Sequence, residues 1–168
     1  GRQVGLMVTT TYSRIAGTGG YLPATVVTNA DLERRMETTD EWIRERTGIE
    51  RRHRVADGET TVDMAEHAAR AAIAAAGCDV RTIDLIIVAT CTPDLVLPDA
   101  GVMLQQRLGC IGAPAFSLEA ACTGFIYALS LADKFIRAGD AKRALVVGSE
   151  SLSRIMDPDD RSTAVLFG

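Results

Sequence analysis

The segment Leu118–Leu129, LEAACTGFIYAL, decides how this chain is read. It joins a short run, PAFSLEA, to a long one that carries no charge until Asp133, and a thiol, Cys122, stands at the junction beside Ala120, Ala121 and Gly124. The pattern predicts a short strand, a turn, and a helix from about Thr123 to Ala138 closed by Gly139. A cysteine at that junction has two readings. One is an inert space-filler, the commoner lot of a free cysteine. The other is a nucleophile, because a helix N-terminus offers unpaired N–H groups and the positive end of the dipole, which favour the reactive thiolate. The small neighbours leave room for a substrate, as in a nucleophile elbow with cysteine in place of serine. The helix adds a second message. Gly124–Ala132, GFIYALSLA, is uncharged on every face, and a helix apolar all round is expected to be buried all round. One sheet covers one stripe, so the rest calls for another subunit or further chain.

The flanking sequence alternates strands and helices. Thr60–Ala76 reads as a helix with capping-box spacing between Thr60 and Asp63 and a stop at Gly77. IDLIIVAT is a continuous apolar strand of the kind covered on both faces. A helix over Asp99–Leu108 ends at Gly109, and KRALVVGSE is another buried strand. TNADLERRM offers Thr28 or Asn29 as the cap of a short helix, and TTDEWIRERTG is a second one stopped by Gly48. YSRIAGTGG (12–20) reads as a strand ending in a glycine turn, IERRHRV as a polar edge strand, and STAVLFG as the start of a last strand. The alternation predicts an α/β architecture with a largely parallel sheet.

Composition narrows the function classes. A chain of 168 residues, 47% apolar and 24% charged, suits one domain, and its net charge of −4 argues against a nucleic-acid binder. No apolar run reaches membrane-spanning length. The start, GRQVGLMVTTT, lacks a secretory h-region and reads as a flexible extension over 1–11. Four cysteines lie far apart without a C-x-x-C pair, and only two histidines are present, which argues against a metal site. Free thiols suit a reducing cytoplasm.

The motifs GTGGYLP, TNADLE, TTDEWIRERTGI, EAACTGFIYAL, ALVVGSE and DPDDRSTAVLFG, in this order, resemble the N-terminal half of a β-ketoacyl-acyl-carrier-protein synthase III, a condensing enzyme of the thiolase superfamily. The likeness runs from about Tyr12 to Gly168. It implies one half of a layered αβαβα fold, with a mostly parallel mixed sheet and a buried helix after the nucleophile. It implies that Cys122 takes the acyl group of a short acyl-CoA. Malonyl carried on acyl carrier protein then loses CO2, and its enolate attacks the acyl-enzyme. The resemblance places Trp42 and Arg161 on the two faces of the CoA adenine, with Thr38 and Arg46 nearby. It places Leu97 at a loop position that reaches across a homodimer into the partner's acyl pocket. No cofactor beyond the acyl-CoA substrate is implied.

The family also uses a histidine and an asparagine for decarboxylation, both in its C-terminal half. Here His53, His67 and Asn29 all precede Cys122, in motifs where the family has no catalytic group. His67 reads as a surface or packing residue and His53 as solvated. The chain alone is therefore expected to be inactive and to need a missing C-terminal half. The acidic balance places the carrier-protein docking patch in that half. Two alternatives stand beside this reading. One is a related acyltransferase that passes the acyl group from cysteine to another acceptor in secondary metabolism. The other is a non-catalytic structural or acyl-CoA-binding half.

Overall fold

A computed structural model describes residues 11–168. The extension expected at 1–11 lies outside them apart from Thr11. The first unit pairs β1 (Thr25–Thr28) antiparallel with β2 (Arg51–Arg54), Val26 opposite His53. Between them come α1 (Asn29–Glu33) and α2 (Asp40–Thr47). Thr28 caps α1 in a capping box with Asp31, and Thr39 caps α2, which ends at Gly48 in the left-handed conformation. Buried Asn29 ties the unit together by donating to Asp40 Oδ1 (2.8 Å) and to the Ile49 carbonyl (2.7 Å).

The second unit is the α/β core. Helix α3 (Thr61–Ala76) leads to β3 (Leu85–Ala89), α4 (Ala100–Leu108), β4 (Ala115–Leu118), α5 (Gly124–Ala138), β5 (Ala144–Gly148) and the short α6 (Arg161–Ala164). The sheet order is β4-β3-β5, all parallel, with Ile87 opposite Phe116 and Val146. Every residue of β3 is buried, and the pleat divides them by parity. Ile86 and Val88 face α3 and α4, meeting Val62, Ala65, Ala69, Leu104 and Leu108. Leu85, Ile87 and Ala89 face α5, meeting Ala128 and Ala132. Ile86, Ile87 and Leu104 are 0% exposed, and each such side chain contributes about 1.5–3 kcal/mol.

Two expectations are corrected. Tyr12–Gly20 forms no strand; instead Gly17 and Gly19 lie so close to α3 that an added Cβ would stand 2.4 Å from the backbone nitrogens of Ala76 and Ala72. The terminal STAVLFG also forms no strand. The outer edge of β5 has no partner among the described residues, and Asp160 instead caps a helical turn, accepting from the Ser162 amide (3.0 Å) and the Thr163 hydroxyl (2.9 Å). Helix α5 lays one stripe on the sheet, as expected where a single sheet covers it. Gly124, Ala128 and Ala132 form one buried stripe, while Phe125, Ile126 and Tyr127 are exposed.

The capping box of α3 carries a pH dependence. Burial pushes the Asp63 carboxyl up. Hydrogen bonds from Arg107 and from the Thr60 amide and hydroxyl, with the Arg107 charge, outweigh it and hold Asp63 at about 2. A carboxyl depressed on folding adds stability that is complete above its unfolded value, about 3.9, and is lost as pH falls toward 2. Asp63→Asn should lower stability by about 1 kcal/mol at neutral pH. It should also flatten the acid limb between pH 4 and 2, as read by urea unfolding across that range.

Candidate active site

Cys122 lies on a single 3-10 turn, Ala121–Thr123, between β4 and α5. Ala120 and Ala121 carry the chain off the end of the sheet. Ala121 takes a φ of 45°, the left-handed region that a residue with a Cβ enters at a cost of about 1–3 kcal/mol. Thr123 clamps the turn, its amide (3.1 Å) and its hydroxyl (2.8 Å) both donating to the Ala120 carbonyl. Gly124 lets the helix begin close against the sheet, since a Cβ there would stand 3.2 Å from that of Ala89. The result is an exposed thiol on a strained turn at the start of a helix. The other cysteines differ: Cys78 and Cys91 are half-buried, and Cys110 is buried with its thiol donating to the Val80 carbonyl at 3.3 Å. Burial pushes the Cys110 thiol up.

A second cluster forms around Trp42, half-buried on α2. The Arg46 guanidinium lies 4.4 Å from the indole centroid and that of Arg161 lies 4.7 Å from it. Arg161, at the start of α6, also donates to the Glu37 carbonyl (3.0 Å). Thr38 follows Glu37 directly, and its hydroxyl is buried with no partner among the described residues. The structure thus gathers Trp42, Arg46 and Arg161, with Thr38 alongside, from two segments far apart in sequence. Leu97 stands apart, 83% exposed beside the exposed Leu95 and Val96 on the loop after β3.

That loop is held by a residue the sequence reading missed. Glu150, just past β5, accepts hydrogen bonds from the Thr90 hydroxyl (2.8 Å), the Cys91 amide (2.9 Å), the Thr92 amide (2.9 Å) and the Thr92 hydroxyl (2.5 Å). Its signal was the acid at the end of ALVVGSE, opposite the donors of TCT at the end of β3. Asp94, in the same loop, caps α3 by accepting from the amides of Thr61 and Val62, both at 2.9 Å.

The two histidines lie in structural settings. His53 is half-buried rather than solvated, its Nδ1 2.6 Å from the Pro23 carbonyl oxygen. Exposed His67 stacks on Tyr21 with ring centroids 4.7 Å apart. Among the described residues no cluster of His, Cys, Asp and Glu could hold a metal ion, and no helix is long and apolar enough to cross a membrane.

Residues 116–168 match the family described as 3-Oxoacyl-[acyl-carrier-protein (ACP)] synthase III. The β-ketoacyl-[acyl-carrier-protein] synthase III of Xanthomonas campestris pv. campestris is 59% identical over 157 residues, which is 94% of this chain and 48% of that protein. The crystal structure of 3-oxoacyl-[acyl-carrier-protein] synthase III from Aquifex aeolicus VF5 aligns with a TM-score of 0.89 at 49% identity, covering 92% of this chain and 50% of that one. The priming β-ketosynthase of the R1128 polyketide biosynthetic pathway aligns with a TM-score of 0.91 at 38% identity, covering 95% and 48%. The chain therefore spans about half the length of the curated relatives it matches.

Proposed function

The chain is homologous over nearly all its length to the N-terminal half of β-ketoacyl-[acyl-carrier-protein] synthase III and has a thiolase-like α/β fold, and on that footing we propose that it supplies the acyl-accepting cysteine of a condensing enzyme. The observation that carries this reading is the exposed thiol of Cys122 on the strained Ala121 turn at the start of α5. The sulfur attacks the carbonyl of an acyl-CoA, the carbon–sulfur bond to CoA breaks, and CoA leaves as the thiol. The acyl group remains on Cys122. The Cys122 backbone amide is the candidate donor for the oxyanion formed on the way. Malonyl on acyl carrier protein then loses CO2, and its enolate carbon takes the acyl group, restoring the cysteine. The histidine and asparagine for that step belong to the C-terminal half of the whole protein, which also carries the carrier-protein docking surface. The whole protein works as a cytoplasmic homodimer in which Leu97 closes the partner's acyl pocket, and this chain alone does not turn over.

Trp42, Arg46, Arg161 and Thr38 hold the nucleotide end of the substrate. The Arg161 guanidinium now covers the Trp42 ring at 4.7 Å. A base inserted between them needs roughly 7 Å, two stacking distances. Arg161 therefore swings outward on its short helix when the adenine enters. Trp42→Ala should raise KM for acyl-CoA by roughly 10–100-fold, with kcat little changed, the loss expected for one stacked base. Steady-state kinetics on the full-length protein read the two constants apart.

A second reading keeps the acylation of Cys122 but passes the acyl group to another acceptor in secondary metabolism, a setting that the likeness to a ketosynthase of a polyketide pathway supports. A chase separates the two. Full-length protein loaded with radiolabelled acetyl-CoA is mixed with malonyl-acyl-carrier-protein. Label leaving as a β-ketoacyl thioester on the carrier supports condensation, and label that stays on the protein counts against it.

A further inference from the structure

The loop from β3 to α4 is pinned at both ends and free at its tip. At its start, Glu150 gathers the Thr90 hydroxyl (2.8 Å) and the amides of Cys91 and Thr92 (both 2.9 Å). The Thr92 hydroxyl donates to Glu150 (2.5 Å) and accepts from the Ser151 amide (2.9 Å), while the Thr92 carbonyl accepts from the Thr61 hydroxyl (2.7 Å). Thr61, Thr90, Thr92 and Ser151 are all buried. Asp94 fixes the next turn to the amides that open α3 and pairs with Arg154 at 3.1 Å. At the far end Asp99 accepts from the amides of Val102 (2.9 Å) and Ser117 (3.1 Å). Between these anchors stand Leu95, Val96 and Leu97, all exposed.

A contiguous apolar tip held out to water marks a contact surface. How far it reaches is set by the anchors beneath it, because a group is placed only as well as the residues that support it. Glu150 stands out among those anchors. It lies outside the loop, just past β5, and one carboxylate holds three successive loop residues. Its hydrogen bonds are charge-assisted and therefore stronger than those between neutral groups. A change at Glu150 loosens the base from which the tip projects without touching the tip itself.

We propose that Glu150 is a positioning residue for acyl-chain selection, fixing through Thr90–Thr92 how deeply Leu97 enters the partner's acyl pocket. This role rests on the reading above, in which Leu97 closes that pocket. A tightly held loop gives the pocket a firm floor, and one methylene too many then lowers kcat/KM by roughly 10–200-fold. A loosened loop yields to the longer chain and blurs the cut-off.

The test measures kcat/KM of the full-length protein for straight-chain acyl-CoA primers of increasing length, with malonyl-acyl-carrier-protein as the second substrate. The readout is the ratio across the step where the wild type falls most steeply. A ratio of two substrates on one protein does not depend on the fraction folded, so loss of stability alone leaves it unmoved. Glu150→Gln, which keeps one acceptor oxygen and with it the fold, should reduce the ratio roughly tenfold. Thr90→Val removes one donor from the same carboxylate and should shift the ratio the same way by less. Leu97→Ala should reduce it as well, and adding Glu150→Gln to Leu97→Ala should change it no further, since effects that run through one contact do not add. A ratio that moves in Leu97→Ala but in neither Glu150→Gln nor Thr90→Val would overturn the positioning role and leave the reading of Leu97 standing. A full further reduction in the double variant would overturn the role too, by showing that Glu150 acts elsewhere. A ratio that Leu97→Ala leaves unchanged would overturn the reading of Leu97, and the role with it.

Discussion

Cys122→Ala should lower condensation by roughly 10³-fold or more while leaving the fold in place. The loss is large because no neighbouring group can take the sulfur's role. The Thr123 hydroxyl is engaged with the Ala120 carbonyl at 2.8 Å. Cys110 is buried, and Cys78 and Cys91 lie on other elements and are half-buried. The fold is spared because Cys122 is exposed, and substitutions at such positions usually fall within about 0.5 kcal/mol. Thermal unfolding and acyl-CoA binding, measured beside turnover, should stay close to wild type. A variant that loses binding together with turnover would point to collapse of the turn rather than loss of a nucleophile.

Glu150→Ala should produce the largest loss of stability, about 3 kcal/mol. The carboxylate collects donors from Thr90, Cys91 and Thr92, and both threonines are buried. Removing it strands those donors, each at a cost of about 1–3 kcal/mol, eased where water enters beside a half-buried residue. For a protein of this size and larger the midpoint should fall by roughly 6–12 °C. The effect should be local as well as global. Glu150 ties the start of the loop that carries Leu97, so amide exchange should quicken first at Cys91 and Thr92. Glu150→Gln keeps one acceptor oxygen and should fall between the two.

The α/β core was legible in the sequence wherever pattern and punctuation agreed. The continuous apolar run gave β3, and Thr60, Asp63 and Gly77 marked both ends of α3. The two unformed strands, over 12–20 and 162–168, misled for a common reason. A strand needs a partner, and β-type composition does not say whether one is present. Near Gly168, local caps from Asp160 fill the role that a neighbouring strand would have. Strand β1 was missed because TVVT is short and its partner β2 is charged. At the candidate site, the small residues around Cys122 were read as room for a substrate, but the positive φ of Ala121 had no sequence signal, since left-handed positions are expected at glycine. The resemblance grouped Trp42, Arg161, Arg46 and Thr38 around one nucleotide, but the stacking of Arg46 and Arg161 directly on the Trp42 ring was not foreseen, and pattern alone cannot bring Arg161 to α2. The pairing of Glu150 with the loop after β3 is likewise a contact between distant segments.

The central claim is that the thiol at the mouth of α5 takes an acyl group from a thioester, and peptide mapping tests it most directly. Full-length protein is incubated with acetyl-CoA, quenched in acid and digested, and the fragments are weighed. The predicted result is a single acetyl adduct on the peptide containing Cys122, removed by hydroxylamine as a thioester should be. An adduct on any other residue, or none on a folded protein that still binds CoA, would contradict it.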